Sequence, residues 1–280
     1  MDSPIVAAFI RSALVPASLA TVAIFIAGFL KEPWKARLQA LILAGAFMVG
    51  SYVLIGRLHL PPGDAAEALS LSALLLAIFV IVRPHPLGHR YLLRAIFVLA
   101  LGALILWPLR NTITAPHHQR NLIAFFCLGL GIWSIVEKAT LRVRPLALIL
   151  LPLIAATALS LMMLFASSAS FSQLVSVACA CFGGLLAIAL FMPSRLSVNA
   201  LVPFLSVFII LMMFAGHFYL DINPWHMIYL CFPYLILWIR DWLGFVPQKP
   251  IPEAIILSAA SAAPLAYFVY NMGLKAGPLY

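Results

Sequence analysis

The chain has 280 residues, of which 65% are hydrophobic and only 9% charged, and its net charge is +9. Soluble domains hold about 45–50% apolar and about 25% charged residues, so this composition excludes a soluble globular protein, a disordered chain and a nucleic-acid binder. It fits an all-α polytopic membrane bundle embedded almost wholly in lipid.

A spanning helix needs about 20 largely apolar residues. In chain order ten segments qualify: Ser12–Leu30, Leu38–Gly56, Ala65–Val82, Tyr91–Pro108, Leu122–Val136, Leu146–Phe165, Gln173–Met192, Val202–Leu220, Met227–Ile239 and Ile251–Tyr270. The third, fifth and ninth are short or carry a charge. Ala65–Val82 holds Glu67 in its first turn, and Met227–Ile239 reaches spanning length only by absorbing its flanks. The reading is about ten transmembrane helices, with eight or nine as the fallback. Met1–Leu30 is taken as the first span, because Asp2 and a lone Arg11 do not make the basic start of a secretory signal. The connections are short and rich in Pro, Gly and charge, so one transmembrane domain is expected over residues 1–280.

Cytoplasmic loops carry an excess of Lys and Arg. The odd-numbered loops hold twelve: Lys31, Lys35, Arg37, Arg83, Arg90, Arg94, Lys138, Arg142, Arg144, Arg195, Arg240 and Lys249. The even-numbered loops hold only Arg57, Arg110 and Arg120. A missed or invented span would spoil this alternation, so it supports the count of ten. It also places both termini outside a bacterial-type inner membrane. Anionic lipid and insertion orientation account for the basic loops without nucleic acid.

Two short echoes suggest halves over 1–140 and 141–280. Leu14–Thr21 (Leu-Val-Pro-Ala-Ser-Leu-Ala-Thr) is similar to Leu150–Thr157 (Leu-Leu-Pro-Leu-Ile-Ala-Ala-Thr), and Leu104–Arg110 is similar to Leu235–Arg240. Five helices per half would make the repeat inverted, a common transporter plan. In plan alone this resembles the drug/metabolite transporter superfamily. No residue motif matches, however, and that superfamily's termini lie inside, so membership is not implied.

Polar and helix-breaking residues are where function would show. No acidic residue lies at mid-span, which argues against a proton pump or cation antiporter built on a membrane-centre carboxylate. Arg11, Glu67, Arg240, Asp241 and Glu253 all lie near span ends, where they can pair or reach headgroups. Pro16, Pro152 and Pro233, with Pro264, are candidate helix breaks that could expose backbone groups to a substrate. The small residues Ser176, Ala180 and Gly184 on span seven, and Ser258–Ala263 on span ten, read as tight packing or as a face for another membrane protein.

Five histidines fall on the predicted outer side: His59, His117, His118, His217 and His226. Asp64, Glu67, Asp221, Arg110 and Arg120 share it. His217, Asp221, His117, His118, His59, His226 and Arg110 are therefore the candidate substrate-binding residues. Histidine beside a carboxylate can act as a general base, and Asp221 lies one turn after His217. The rival reading is that these groups decorate the headgroup zone.

The spacings for zinc, haem, phosphate-binding loops, serine nucleophiles and prenyl diphosphates are missing, so no cofactor and no metal are expected. Cys127, Cys179, Cys181 and Cys231 lie in apolar runs and read as small hydrophobes. The leading expectation is a permease or flippase-like transport protein for a small or lipid-linked molecule. The alternatives are a membrane enzyme acting on a lipid-linked substrate at the outer face, and a structural or assembly subunit of a membrane complex.

Overall fold

The computed structural model describes residues 10–82, 87–110, 115–166, 168–240 and 249–276, with the side chains of 87–90, 115–118, 224, 275 and 276 left aside. Among these residues the fold is all helical. The helices are α1 (Ile10–Ala27), α2 (Trp34–Ile55), α3 (Ala65–Val82), α4 (Leu87–Leu106), α5 (Ala115–Ala139), α6 (Pro145–Phe165), α7 (Ala169–Phe191), α8 (Val198–Leu220), α9 (Trp225–Ile239) and α10 (Pro250–Ala276).

Nine of the described helices are long and apolar enough to cross a membrane, and α9 is shorter. At 1.5 Å per residue α9 covers about 22 Å, against a hydrocarbon core of about 30 Å. It is also interrupted, between Pro224–Tyr229 and Phe232–Ile239. Pro233 sits at that break, because proline fits the first turn of a helix but not its interior. The third segment keeps its expected bounds. The fifth begins earlier than expected, so the backbone of His117 and His118 lies in the first turns of α5 rather than in a loop.

Helix ends follow local chemistry. Pro145 opens α6, and Pro224 stands directly before Trp225 at the start of α9. Ser168 caps α7 by accepting from Phe171 N–H at 3.4 Å, and Asn223 caps α9 by accepting from Trp225 N–H at 3.0 Å. Gly56 and Asp221 end α2 and α8 in the left-handed conformation.

Loop contacts sort the helix ends onto two faces. On one, Arg57 meets Asp64, and Tyr219 at the end of α8 bonds the Ile105 carbonyl at the end of α4. On the other, Lys35 and Gln39 of α2 meet the 194–197 connection, while Glu253 of α10 accepts both from Arg240 at the end of α9 and from the Arg144 amide at the start of α6. Short as it is, α9 runs from the Asp64 face to the Arg144 face, in step with the alternation of basic residues.

α8 is the axis of the bundle, packed by α2, α3, α4, α5 and α6. Ile209, Ile210, Leu211 and Met212 are fully buried, so the middle is filled. Lipid tails are as apolar as these side chains, so burial alone does not hold the helices together. Close packing and interhelical hydrogen bonds do. Gly184 of α7 lies so near Thr21 of α1 that a Cβ would overlap the Thr21 hydroxyl. Ser160 of α6 bonds Ser172 and Ser176 of α7 at 3.1 and 3.0 Å. The small stripe on α7 thus packs inside the chain.

Pro203 interrupts α8 and is followed by a wide π-turn over Phe204–Phe208. There the Leu205 carbonyl accepts from Tyr234 Oη of α9 at 2.9 Å, which satisfies a fully buried phenol. The helix pairs α1–α2 and α6–α7 correspond under a five-plus-five scheme, as do α4–α5 and α9–α10. α6 lies in addition along α10, whereas α1 lies along α7, so the two halves differ in their neighbours.

Candidate functional site

The loop from α2 to α3 folds around a carboxylate. Asp64 caps α3 by accepting from Glu67 N–H at 2.9 Å, and Glu67 reaches back to accept from Gly63 N–H at 2.7 Å. This is a variant of the reciprocal capping box, with Asp in place of Ser or Thr. The other Glu67 oxygen accepts from His59 Nδ1 at 2.7 Å and has Arg57 Nε at 3.7 Å, while Arg57 Nη2 donates to Asp64 at 3.4 Å. Two carboxylates, a guanidinium and an imidazole therefore converge at one helix start. Glu67 is buried while His59 and Arg57 are exposed. By holding Nδ1, Glu67 orients the ring and leaves Nε2 for proton transfer or a substrate oxygen.

Next to this cluster, α2, α3, α7 and α8 enclose a crevice of about 280 Å³. Its walls are mostly apolar, from Leu54, Ile55, Phe171 and Leu174, with Asp64, Ser170, Gln173 and Tyr219 as its polar groups. Asp64 belongs to both the cluster and the crevice. The Tyr219 phenol is held at 3.1 Å by the Ile105 carbonyl, where α4 tightens into the 3₁₀ turn Trp107–Leu109. A small amphiphile fits such a lining, its apolar part on the walls and its polar part at Asp64 and Gln173.

Three of these helices, α2, α7 and α8, are latched at their other ends. Gln39, fully buried on α2, donates through Nε2 to the Arg195 carbonyl at 2.7 Å and to the Ile24 carbonyl at 3.2 Å. Its Oε1 accepts from Ser197 N–H at 2.8 Å. Lys35 Nζ adds a longer bond to the Ser194 carbonyl, 3.5 Å. Gly28 allows the approach: a Cβ there would stand 2.7 Å from the Arg195 carbonyl oxygen. One amide thus ties the α7–α8 connection to both α1 and α2.

The histidines proposed from sequence do not all gather at the crevice. His59 joins the Glu67 cluster. His217 lines a separate crevice of about 210 Å³ between α5, α8 and α9, together with Asn121, Met213, Met227 and Cys231. Its Nδ1 donates to the Ile222 carbonyl at 2.8 Å, not to Asp221, whose exposed side chain stands at the left-handed end of α8. The chain reverses within those residues, which brings the carbonyl, rather than the carboxylate, to the ring. His226 packs its ring on Phe268 of α10, 4.9 Å between centroids. Arg110 lies over the Trp107 ring at 4.4 Å. The side chains of His117 and His118 lie outside those described. Pro16 lines a shallow apolar groove with α2, and Pro152 is buried inside α6.

Sequence reading passed over Gln39, Gln173 and Tyr219. Gln39 and Tyr219 take their meaning only from partners on other elements, and Gln173 only from the crevice it lines. Among the described residues no group of three or more His, Cys, Asp or Glu side chains could hold a metal ion. No protein-family model, curated protein or solved structure matches the chain.

Proposed function

We propose that this integral membrane protein is a small permease or flippase-like transporter, and that an amphiphilic or lipid-linked substrate enters it through the crevice beside Asp64. One observation carries this reading. Of the helices that open at the Asp64 face, α2, α7 and α8 are tied together at the opposite face by the Gln39 latch. A site accessible from one side and barred from the other is what alternating access requires. The excess of Lys and Arg on the Arg144 face supports reading that face as the cytoplasmic one and the crevice as the outer one, in a bacterial-type inner membrane. A five-plus-five repeat would add a symmetry reason for the second, inward-open state.

The test is access from each side, on a protein whose native cysteines are replaced. A cysteine at Gln173 should react with a membrane-impermeant maleimide from the Asp64 face. A cysteine at Ala200, buried behind the latch, should resist labelling from the other face until Gln39 is changed to Ala. An Ala200 site that stays protected when the latch is removed would count against alternating access.

The His59–Glu67 pair favours a second reading, an enzyme acting on a lipid-linked substrate at the same face, with His59 as general base. The two readings part at His59→Gln. An enzyme loses turnover while still binding substrate, whereas a transporter keeps its two-sided labelling pattern.

A further inference from the structure

α9 is broken between Tyr229 and Phe232, and a crevice of about 210 Å³ lies beside the break, walled by α5, α8 and α9. It shares no lining residue with the Asp64 crevice, so the proposed transport path makes no use of it. α5 presents Asn121 and, one turn on, Ala124, whose small side chain leaves the space open. Met213 of α8 and Met227 of α9 supply flexible thioethers, which make favourable contacts with aromatic rings. The Phe214 ring stands in the same wall, braced edge-on by Phe125 at 5.2 Å between centroids.

His217 brings the polar group, and its hydrogen is placed by its partner. A carbonyl oxygen only accepts, so the 2.8 Å contact with Ile222 puts the hydrogen on Nδ1. Nε2 of the neutral ring is then a lone-pair acceptor. Asn121 adds an amide that both donates and accepts. Among the described residues no Asp, Glu, Lys or Arg lines the crevice.

We infer that this crevice binds a phenol, an aromatic ring carrying a hydroxyl group. The ring packs among the two methionines and Phe214, while the hydroxyl donates to His217 Nε2 and accepts from the Asn121 amide. A cavity of about 150 Å³ holds benzene, so this one has room for a substituted ring or a fused pair. A carboxylate or phosphate would meet no cation among the lining residues. A plain hydrocarbon would leave both polar groups without a partner.

The test uses the purified full chain in detergent, with tritiated 2-naphthol as the probe and scintillation proximity as the readout. Unlabelled 2-naphthol should displace the probe about tenfold more effectively than 2-methylnaphthalene, which has nearly the same shape without the hydroxyl. Cys231 lines the crevice and reports the position. On a variant that keeps it as the sole cysteine, 2-naphthol should slow its reaction with N-ethylmaleimide. In His217→Asn the amide can still donate to the Ile222 carbonyl, but nothing replaces Nε2. That variant should bind 2-naphthol about tenfold more weakly and 2-methylnaphthalene as before. Its thermal unfolding midpoint checks that it is folded. If it is not, Ala124→Leu carries the test, because it fills the crevice from an exposed position on α5 and should abolish displaceable binding. Equal displacement by the two competitors, no displaceable binding in the unsubstituted protein or an unchanged rate at Cys231 overturns the inference. So does unchanged 2-naphthol affinity in folded His217→Asn or in Ala124→Leu.

Discussion

Replacing Gln39 by Leu tests the latch directly. The side chain is fully buried and makes three hydrogen bonds, two donated and one accepted. Leucine is close in volume and leaves the Arg195 carbonyl and the Ser197 amide without their partner. A buried group left unpaired costs about 1–3 kcal/mol. Arg195 and Ser197 are only half-buried, so water can reach both once the connection lifts. About 2 kcal/mol for the pair is therefore expected, and this should appear as local opening rather than global unfolding. At about 1.4 kcal/mol per factor of ten, that is roughly a thirtyfold shift in the opening equilibrium. Hydrogen exchange followed by mass spectrometry reads it, because the Ser197 amide hydrogen is itself the one held by Gln39. Peptides covering 192–198 should exchange about thirtyfold faster in Gln39→Leu, with peptides of α6 unchanged. Unchanged exchange at Ser197 would refute the latch. Uniformly faster exchange throughout the protein would show that Gln39 supports the whole fold instead.

Gly184→Ala should lower the thermal unfolding midpoint in detergent, because the added methyl overlaps Thr21 Oγ1; overpacking of this kind costs about 1–3 kcal/mol. Adding Thr21→Ala removes the obstructing atom and should restore most of the stability. Tyr234→Phe leaves the Leu205 carbonyl in the π-turn without its phenol and should destabilise by about 1 kcal/mol, since hydrogen bonds between membrane helices measure about 0.6 and at most about 1.7 kcal/mol. Denaturant titration of the purified variant measures this. For topology, single cysteines at Leu60 and Leu141, 80% and 84% exposed on opposite faces, should react with an impermeant maleimide from outside and from inside respectively. Labelling of both from one side would undo the two-face arrangement.

Much of this protein was legible along the chain, and the reason is the solvent. A bilayer demands that each crossing satisfy its own backbone and present apolar side chains, so crossings appear as local runs that need no knowledge of neighbours. Ala65–Val82 keeps its expected bounds for that reason. The alternation of Lys and Arg likewise sorts the loops onto two sides, and the contacts of Lys35 with Ser194 and of Glu253 with Arg144 join odd-numbered loops to one another. Even the weak ninth segment was marked by its shortness and by Pro233. Tertiary structure alone decided what the isolated polar groups do. Gln39, Tyr219 and Tyr234 find their partners on other helices or across a distant connection, and nothing in an apolar run announces the carbonyl that will meet each one. His217 is the converse case. Its spacing to Asp221 suggested a pair, but α8 ends at Asp221 in a left-handed turn, and the reversal hands the imidazole to the Ile222 carbonyl. Helical spacing predicts a side-chain neighbour only while the helix continues, and where it stops the path of the backbone chooses the partner.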